Sequence, residues 1–299
     1  MSIRAPAAAS VARGSSDTEL ARHPSVRRLV ATALEEDLGR GDVTTRAALA
    51  PDLEATATIE AQEPCVVAGG FLAPLVFARL DPTLAVDVLV EDGESVARGA
   101  ALVRVRGRAA PILGGERVLL NLLQHLCGVA TLTRRFVDAA RGTPAVIVDT
   151  RKTLPGLRLL EKHAVRAGGG VNHRFGLDDG ILIKNTHVAL GGGTAATVAR
   201  VRARAPAGLR VQVECRGKAE VEAALAAGAD AVLLDNQSVA DARALVAAIG
   251  GRVPVELSGG ITLANVAAYA ATGADRISIG ALTHSAPAIA LHLCITGHA

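Results

Sequence analysis

The sequence predicts an α/β protein whose C-terminal half is built on a parallel sheet, preceded by a smaller α+β unit. Three observations carry this. From residue 145 onward, apolar β-branched runs end at Asp149, Lys184, Glu214, Asp235, Leu257 and Gly280, 21 to 35 residues apart. Ala-rich segments of helical periodicity lie between them, such as KAEVEAALAAGAD (218–230) and ITLANVAAYAATGAD (261–275), each with a glycine near its end. Strands alternating with helices at this spacing make βα units. Residues 55–107, by contrast, break into short β-rich runs separated by Gly or Pro, the mark of a small, partly antiparallel sheet. Six strands fall short of a complete eight-stranded barrel. An incomplete barrel of six or seven strands and an open doubly wound sheet both fit that count.

In chain order, MSIRAPAAASVARGSS (1–16) contains no acid and is rich in Ala, Ser and Arg. It has the composition of a transit peptide, but a disordered tail over 1–24 is the expectation. Residues 24–37 read as a helix, with Pro24 at its start, Val26, Leu29, Val30, Ala33 and Leu34 on one face, and Gly39 as its stop. GRGDVTT (39–45) reads as a turn. Strands are expected in ATATIEAQ (55–62), CVVAGG (65–70), LAVDVLVEDG (84–93) and ALVRVRG (101–107), with FLAPLVFARL (71–80) as a helix laid on them. Residues 115–140 form the longest helical pattern, Val118, Leu119, Leu122, Leu123, Leu126, Val129, Leu132 and Phe136 recurring at three- and four-residue steps. This helix bridges the two halves.

Composition narrows the function. With no Trp, one Tyr and four Phe, the core is aliphatic, and stacking of single-stranded nucleic acid on aromatics is not available. A net charge of +3 without a Lys/Arg block favours small anions over a polynucleotide. No run of about 18 apolar residues is present to span a membrane. Four separated cysteines with no CxxC pair fit a reducing cytosol. No metalloenzyme spacing such as HExxH occurs, so a metal is expected only as Mg²⁺ arriving with phosphates.

The chemistry gathers where strands end. Residues 150–184 hold seven Lys/Arg against three acids. Successive strand ends deliver Thr150-Arg151-Lys152, Lys184, Glu214, Asp235, Ser258-Gly259-Gly260 and Gly280-Ala281. In a barrel those ends open into one mouth. A charged residue after a single buried strand is simply where the chain reaches water; four such ends together point to a site. The last two ends are glycine-rich and precede helices, so their backbone N–H groups offer a phosphate cradle. There is no GxxxxGK[ST], which excludes a P-loop. His173-Arg174 follows three glycines and is carried into the same mouth, whereas His163 and His187 read as capping or packing residues.

At these residues the chain resembles the quinolinate phosphoribosyltransferase family. The matching segments are EEDLGRGDVTT (35–45), GERVLLNLLQHLCGVATLT (115–133), DTRKTLPGLRLLEKHAVRAGGGVNHRFGL (149–177), ILIK (181–184), VEC (213–215), DAVLLDN (230–236), ELSGGI (256–261) and ISIGALTHS (278–285). The resemblance implies an incomplete, six- to seven-stranded α/β barrel over 129–287. It also implies an N-terminal α+β open-faced sandwich over 25–128, with 288–299 packing on it. It implies a cytoplasmic homodimer, with higher oligomers open, that joins quinolinate to 5-phosphoribosyl-1-pyrophosphate using Mg²⁺ and no covalent cofactor. Carried over position by position, the substrate contacts are Thr150, Arg151, Lys152, His173, Arg174, Lys184, Glu214 and Asp235, with Arg117 reaching into the neighbour's site. Ser258, Gly259, Gly260, Ile279, Gly280 and Ala281 match the phosphate-contacting backbone, and Lys152, Lys184, Glu214 and Asp235 carry the catalysis. Two departures stand out. Asn185-Thr186-His187 follows Lys184 where relatives more often read Asp-Asn-His or Asn-Asn-His, and His292 occupies an expected acidic position.

Two rivals remain at this level. Lys184 at a strand end permits a Schiff-base lyase or aldolase. A non-catalytic phosphate-ligand binding protein on the same scaffold is the other; retention of every charged site residue argues against it, since burying unneeded charges is costly.

Overall fold

The computed structural model describes residues 17–298. In chain order the elements are α1 (Asp17–Arg22), α2 (Pro24–Leu38), α3 (Val43–Ala48), β1 (Glu54–Ala61), β2 (Cys65–Val66), α4 (Leu72–Leu80), β3 (Ala85–Val88), β4 (Ser95–Val96), β5 (Ala101–Arg108) and α5 (Ala109–Ala139). There follow β6 (Val146–Val148), α6 (Arg158–Ala167), β7 (Ile181–Ile183), α7 (Asn185–Leu190), α8 (Thr194–Arg204), β8 (Val211–Cys215) and α9 (Lys218–Ala226). The chain ends with β9 (Ala231–Asp235), α10 (Val239–Ile249), β10 (Val255–Ser258), α11 (Val266–Ala270), β11 (Arg276–Ser278), α12 (Ala281–His284) and β12 (Leu291–His298). These divide into two compact units: one comprises 17–134, 153–169 and 282–298, the other 135–152 and 170–281.

The first unit is an antiparallel sheet in the order β12-β1-β5-β3, with β2 and β4 pairing beside it. Its central strand β1 buries Ala57, Ile59 and Ala61 completely, the period-two pattern of a strand with one face on a core. β12 joins it from the far end of the chain, so Leu291–His298 belongs to this sheet, and exposed His292 lies opposite Glu60. α5 begins six residues earlier than its apolar periodicity suggests, at Ala109. Pro111 sits in its first turn, where a missing N–H costs nothing.

Two expectations are corrected here. The tail was expected to reach residue 24, but residues 17–22 form α1; residues 1–16 lie outside the described residues. Burial of Leu20, 1 % exposed, docks this helix, and Arg27 Nε donates to its Ala21 carbonyl at 3.3 Å. The turn expected over 39–45 ends at Asp42, whose carboxylate accepts the Thr45 N–H at 2.9 Å and caps α3.

α6 is held by polar contacts within the first unit. Buried Glu161 accepts from His125 Nε2 at 2.8 Å and from the Leu154 N–H at 3.1 Å. His163 Nε2 lies 2.6 Å from Asp92, whose two oxygens also take the N–H groups of Gly69 and Gly70. His163 is therefore a packing residue, as expected.

One acid in this unit makes stability depend on pH. Asp81, 2 % exposed, accepts from Thr83 N and Oγ1 at 2.9 and 2.6 Å and from Arg108 Nε at 2.8 Å. The Thr83 hydrogen bonds, then Arg108, bring its pKa from 3.8 down to about 2. A depressed carboxylate stabilises the fold above its unfolded pKa and loses that contribution as pH falls through the folded value. Thermal melts from pH 4 to 2 are therefore expected to show a shallower acid decline for Asp81→Asn than for the parent, from a lower starting midpoint.

The second unit is a six-stranded, wholly parallel sheet in the order β6-β11-β10-β9-β8-β7. Its strands are near-continuous apolar runs, as strands covered on both faces must be. Val213, Val232, Leu234 and Ile277 are completely buried. Beyond β6 the chain returns at Val171, which bridges to Val148 in parallel and adds a rudimentary seventh strand. The result is the incomplete barrel, with edges at β7 and at this bridge.

Candidate active site

Every strand of the parallel sheet runs the same way, so the C-terminal ends line one edge. Following the strand order, that edge presents Thr150-Arg151-Lys152, then Ile279-Gly280-Ala281, Ser258-Gly259-Gly260, Asp235, Glu214 and Lys184. His173 and Arg174 follow the Val171 bridge. Of the residues named from the sequence, all but Arg117 are thus brought to one edge of one unit. Arg117 belongs to the first unit, exposed on α5, with no hydrogen bond or ion pair among the described residues.

The basic wall is assembled from two segments. Burial first, then the positive charge of Arg151, holds the Arg174 guanidinium below its ordinary pKa, with Asp179 opposing. An arginine destabilised by burial and by a neighbouring positive charge favours an anion beside it. Arg174 is anchored at its far end, Nη1 donating to the Gly180 carbonyl at 3.1 Å. Asp179 ties down the intervening loop by accepting the Phe175 and Gly176 N–H groups at 2.6 and 3.0 Å. Lys152 and Lys184 are exposed. The Lys184 N–H donates to His187 Nδ1 at 2.9 Å, so His187 caps α7.

The acidic wall is next to it. Glu214, the penultimate residue of β8, and Asp235, the last of the adjacent β9, are both half-buried. Glu214 Oε1 accepts the Asn185 N–H at 3.4 Å, so the first departure position contributes through its backbone, independent of its side chain. Asp235 Oδ2 accepts from Asn236 Nδ2 at 2.9 Å. Two carboxylates with oxygen to spare suit a hard divalent cation or sugar hydroxyls.

The glycine loops are shaped by close approach. Asn236 adopts φ 53°, the one non-glycine residue with positive φ among the described residues, and its N–H donates to the Ser258 carbonyl at 2.8 Å. Gly259, at φ 95°, passes so close that a Cβ would stand 2.2 Å from Asn236 Oδ1. No other residue satisfies both constraints. Asn265 Nδ2 holds the Gly260 carbonyl at 3.0 Å. Ile279 is buried and its N–H donates to the Val148 carbonyl at 3.0 Å, so that amide is committed to the sheet.

Three residues that sequence reasoning passed over support the basic wall from beneath. Asp149, fully buried, accepts the His173 N–H at 2.8 Å and Asn172 Nδ2 at 2.6 Å. His173 Nε2 lies 3.2 Å from Gln212 Oε1 and 3.3 Å from Glu256 Oε2, and Gln212 Nε2 donates to the same Glu256 oxygen at 3.1 Å. Burial alone would raise the Glu256 pKa; the hydrogen bond from His173, then that from Gln212, outweigh it and bring the net shift downward. The available signal was an acid placed directly between apolar neighbours in VPVEL (253–257).

Comparison with known proteins gives a consistent picture. The Quinolinate phosphoribosyl transferase C-terminal domain family matches residues 129–294, and its N-terminal domain family matches residues 42–127. A nicotinate-nucleotide pyrophosphorylase [carboxylating] of Mycobacterium leprae is 45 % identical over 270 residues, covering 87 % of this chain and 94 % of its own length. A protein of Bacillus subtilis described as a probable nicotinate-nucleotide pyrophosphorylase [carboxylating] is 38 % identical, covering 92 % of this chain and 94 % of its own. Among solved structures, the nicotinate-nucleotide pyrophosphorylase of Francisella tularensis superposes with a TM-score of 0.88 at 35 % identity, covering 96 % of this chain and 100 % of that one. No helix among the described residues is long and apolar enough to cross a membrane.

Proposed function

The chain belongs to the quinolinate phosphoribosyltransferase family, and from that premise we propose that it joins quinolinate to 5-phosphoribosyl-1-pyrophosphate, yielding nicotinate mononucleotide, pyrophosphate and CO₂ for NAD biosynthesis. The observation that carries this reading is the placing of two arginines, Arg151 and Arg174, with carboxylates and glycine loops along one sheet edge. A pyridine dicarboxylate answers the first feature, an activated ribose phosphate the second.

In this reading the planar guanidinium forks of Arg151 and Arg174 grip the two carboxylates, joined by Arg117 of a second copy of the chain. Thr150 shapes the turn between them, its Oγ1 accepting the Lys152 N–H at 3.0 Å. The ring nitrogen attacks the anomeric carbon as the bond to pyrophosphate breaks. Positive charge developing on the ribose is stabilised by Glu214 and Asp235, which also hold its hydroxyls, while Lys152 and Lys184 neutralise the phosphate oxygens. Ser258, Gly259, Gly260, Gly280 and Ala281 seat the phosphate. Alkylation makes the ring nitrogen cationic, so the neighbouring carboxylate leaves as CO₂ and the carbanion takes up a proton. Holding the ring in place is enough for that step. Glu214 and Asp235 offer the oxygen donors that Mg²⁺ prefers; bound with the pyrophosphate, the ion supplies charge neutralisation for the leaving group. The free thiols Cys65, Cys127, Cys215 and Cys294 suit a reducing cytosol.

The test is product formation. Incubation with quinolinate, 5-phosphoribosyl-1-pyrophosphate and Mg²⁺ is expected to yield nicotinate mononucleotide by chromatography, and chelation of the metal to stop it. Absence of product with all three present would overturn the reading.

A further inference from the structure

Glu256 sits in the middle of β10 with Val255 and Leu257 on either side, and it is 2 % exposed. Isolating a carboxylate there is costly, so what it contacts is informative. Its Oε2 receives Gln212 Nε2 at 3.1 Å and faces His173 Nε2 at 3.3 Å, while Gln212 Oε1 faces the same nitrogen at 3.2 Å. Gln212 and Glu256 lie on β8 and β10, with β9 between them, where Gln212 pairs with Ala231 and Glu256 with Leu233.

The other imidazole nitrogen fixes the proton. The Arg174 N–H donates to His173 Nδ1 at 2.7 Å, so Nδ1 is the acceptor and Nε2 carries hydrogen toward Gln212 and Glu256. Both ring nitrogens are thereby used inside the protein. Asp149 secures the His173 N–H from the other side at 2.8 Å, and Gly180 receives the Arg174 guanidinium. A continuous path runs from the buried acid through the imidazole to the backbone of the arginine.

We propose that Glu256, with Gln212, is a positioning residue that locks the His173 ring so that its Nδ1 fixes the Arg174 backbone and aims the guanidinium into the anion site. The role of Arg174 as a dicarboxylate ligand rests on the function proposed above; the lock does not. Removing a group that holds a ligand-binding residue in place typically changes affinity or activity by about 10–100-fold.

The test is steady-state kinetics of Glu256→Gln and Gln212→Ala beside the parent enzyme. A selective rise of about tenfold or more in the quinolinate KM is expected, with the KM for 5-phosphoribosyl-1-pyrophosphate within about twofold. Adding Glu256→Gln to Arg174→Ala should cost less than about twofold further, because both act through one group. Equal loss for both substrates, an unchanged quinolinate KM, or full multiplication of the two effects would each overturn the proposal. Should Glu256→Gln fail to fold, Gln212→Ala carries the same test with the carboxylate retained. NMR of the imidazole nitrogens gives a readout independent of turnover. The His173 signals of the parent should be those of the neutral Nε2–H tautomer, and an Nδ1–H tautomer or an imidazolium would contradict the lock. A parent enzyme inactive on quinolinate but showing that tautomer would sink the functional reading and leave the lock standing.

Discussion

Lys184→Ala is expected to lower kcat/KM by about 10²–10³-fold, the usual scale for losing one group that stabilises developing negative charge. The structure makes the loss attributable to chemistry. Lys184 is exposed, and the cap on α7 runs through its backbone N–H to His187 Nδ1, which alanine preserves. Stability should therefore move by no more than about 0.5 kcal/mol, as for surface substitutions away from special features. Circular dichroism melts beside steady-state rates check both halves. An enzyme within about tenfold of the parent would remove Lys184 from the phosphate-neutralising role. The Schiff-base alternative is tested on the same residue: borohydride with a carbonyl substrate should leave Lys184 unmodified.

Arg117→Ala is expected to be nearly as damaging, for a different reason. Arg117 is exposed on α5 and makes no hydrogen bond or ion pair among the described residues, so its loss should not unfold the chain. If it completes the site of a second copy, Arg117→Ala and Lys184→Ala homodimers are each inactive, yet mixing them restores function. After subunit exchange, one site of every mixed dimer receives Lys184 from its own chain and Arg117 from its partner, giving about a quarter of the parental activity. Activity that stays at the level of the separate variants would mean that Arg117 does not cross between copies.

Much of this was legible in the sequence because the parallel sheet writes itself plainly. Strands covered on both faces read as near-continuous apolar runs, and the residues at their C-terminal ends emerge along one edge of the sheet. That is why Lys184, Glu214, Asp235 and the two glycine loops could be named without coordinates. Short elements were harder. α1 is six residues long and owes its place to the burial of Leu20, which no local periodicity reveals. The Asp42 cap of α3 uses the same residue types as a turn. The support beneath the basic wall was missed for a geometric reason. Asp149 follows β6, Gln212 lies on β8 and Glu256 on β10, and they acquire meaning only where they converge on His173. At that convergence both His173 ring nitrogens are directed into the protein, and Nδ1 holds the Arg174 backbone N–H.

The central claim, that two arginines and paired carboxylates on one sheet edge hold a pyridine dicarboxylate against an activated ribose, is tested most directly by substrate discrimination. Quinolinate labelled in its 2-carboxylate, supplied with 5-phosphoribosyl-1-pyrophosphate and Mg²⁺, should release labelled CO₂ in step with pyrophosphate. Nicotinate, which lacks that carboxylate, should be turned over at least about 10²-fold less efficiently, because the basic wall is left without its second partner. Pyrophosphate release from nicotinate at an efficiency comparable to quinolinate would contradict the account.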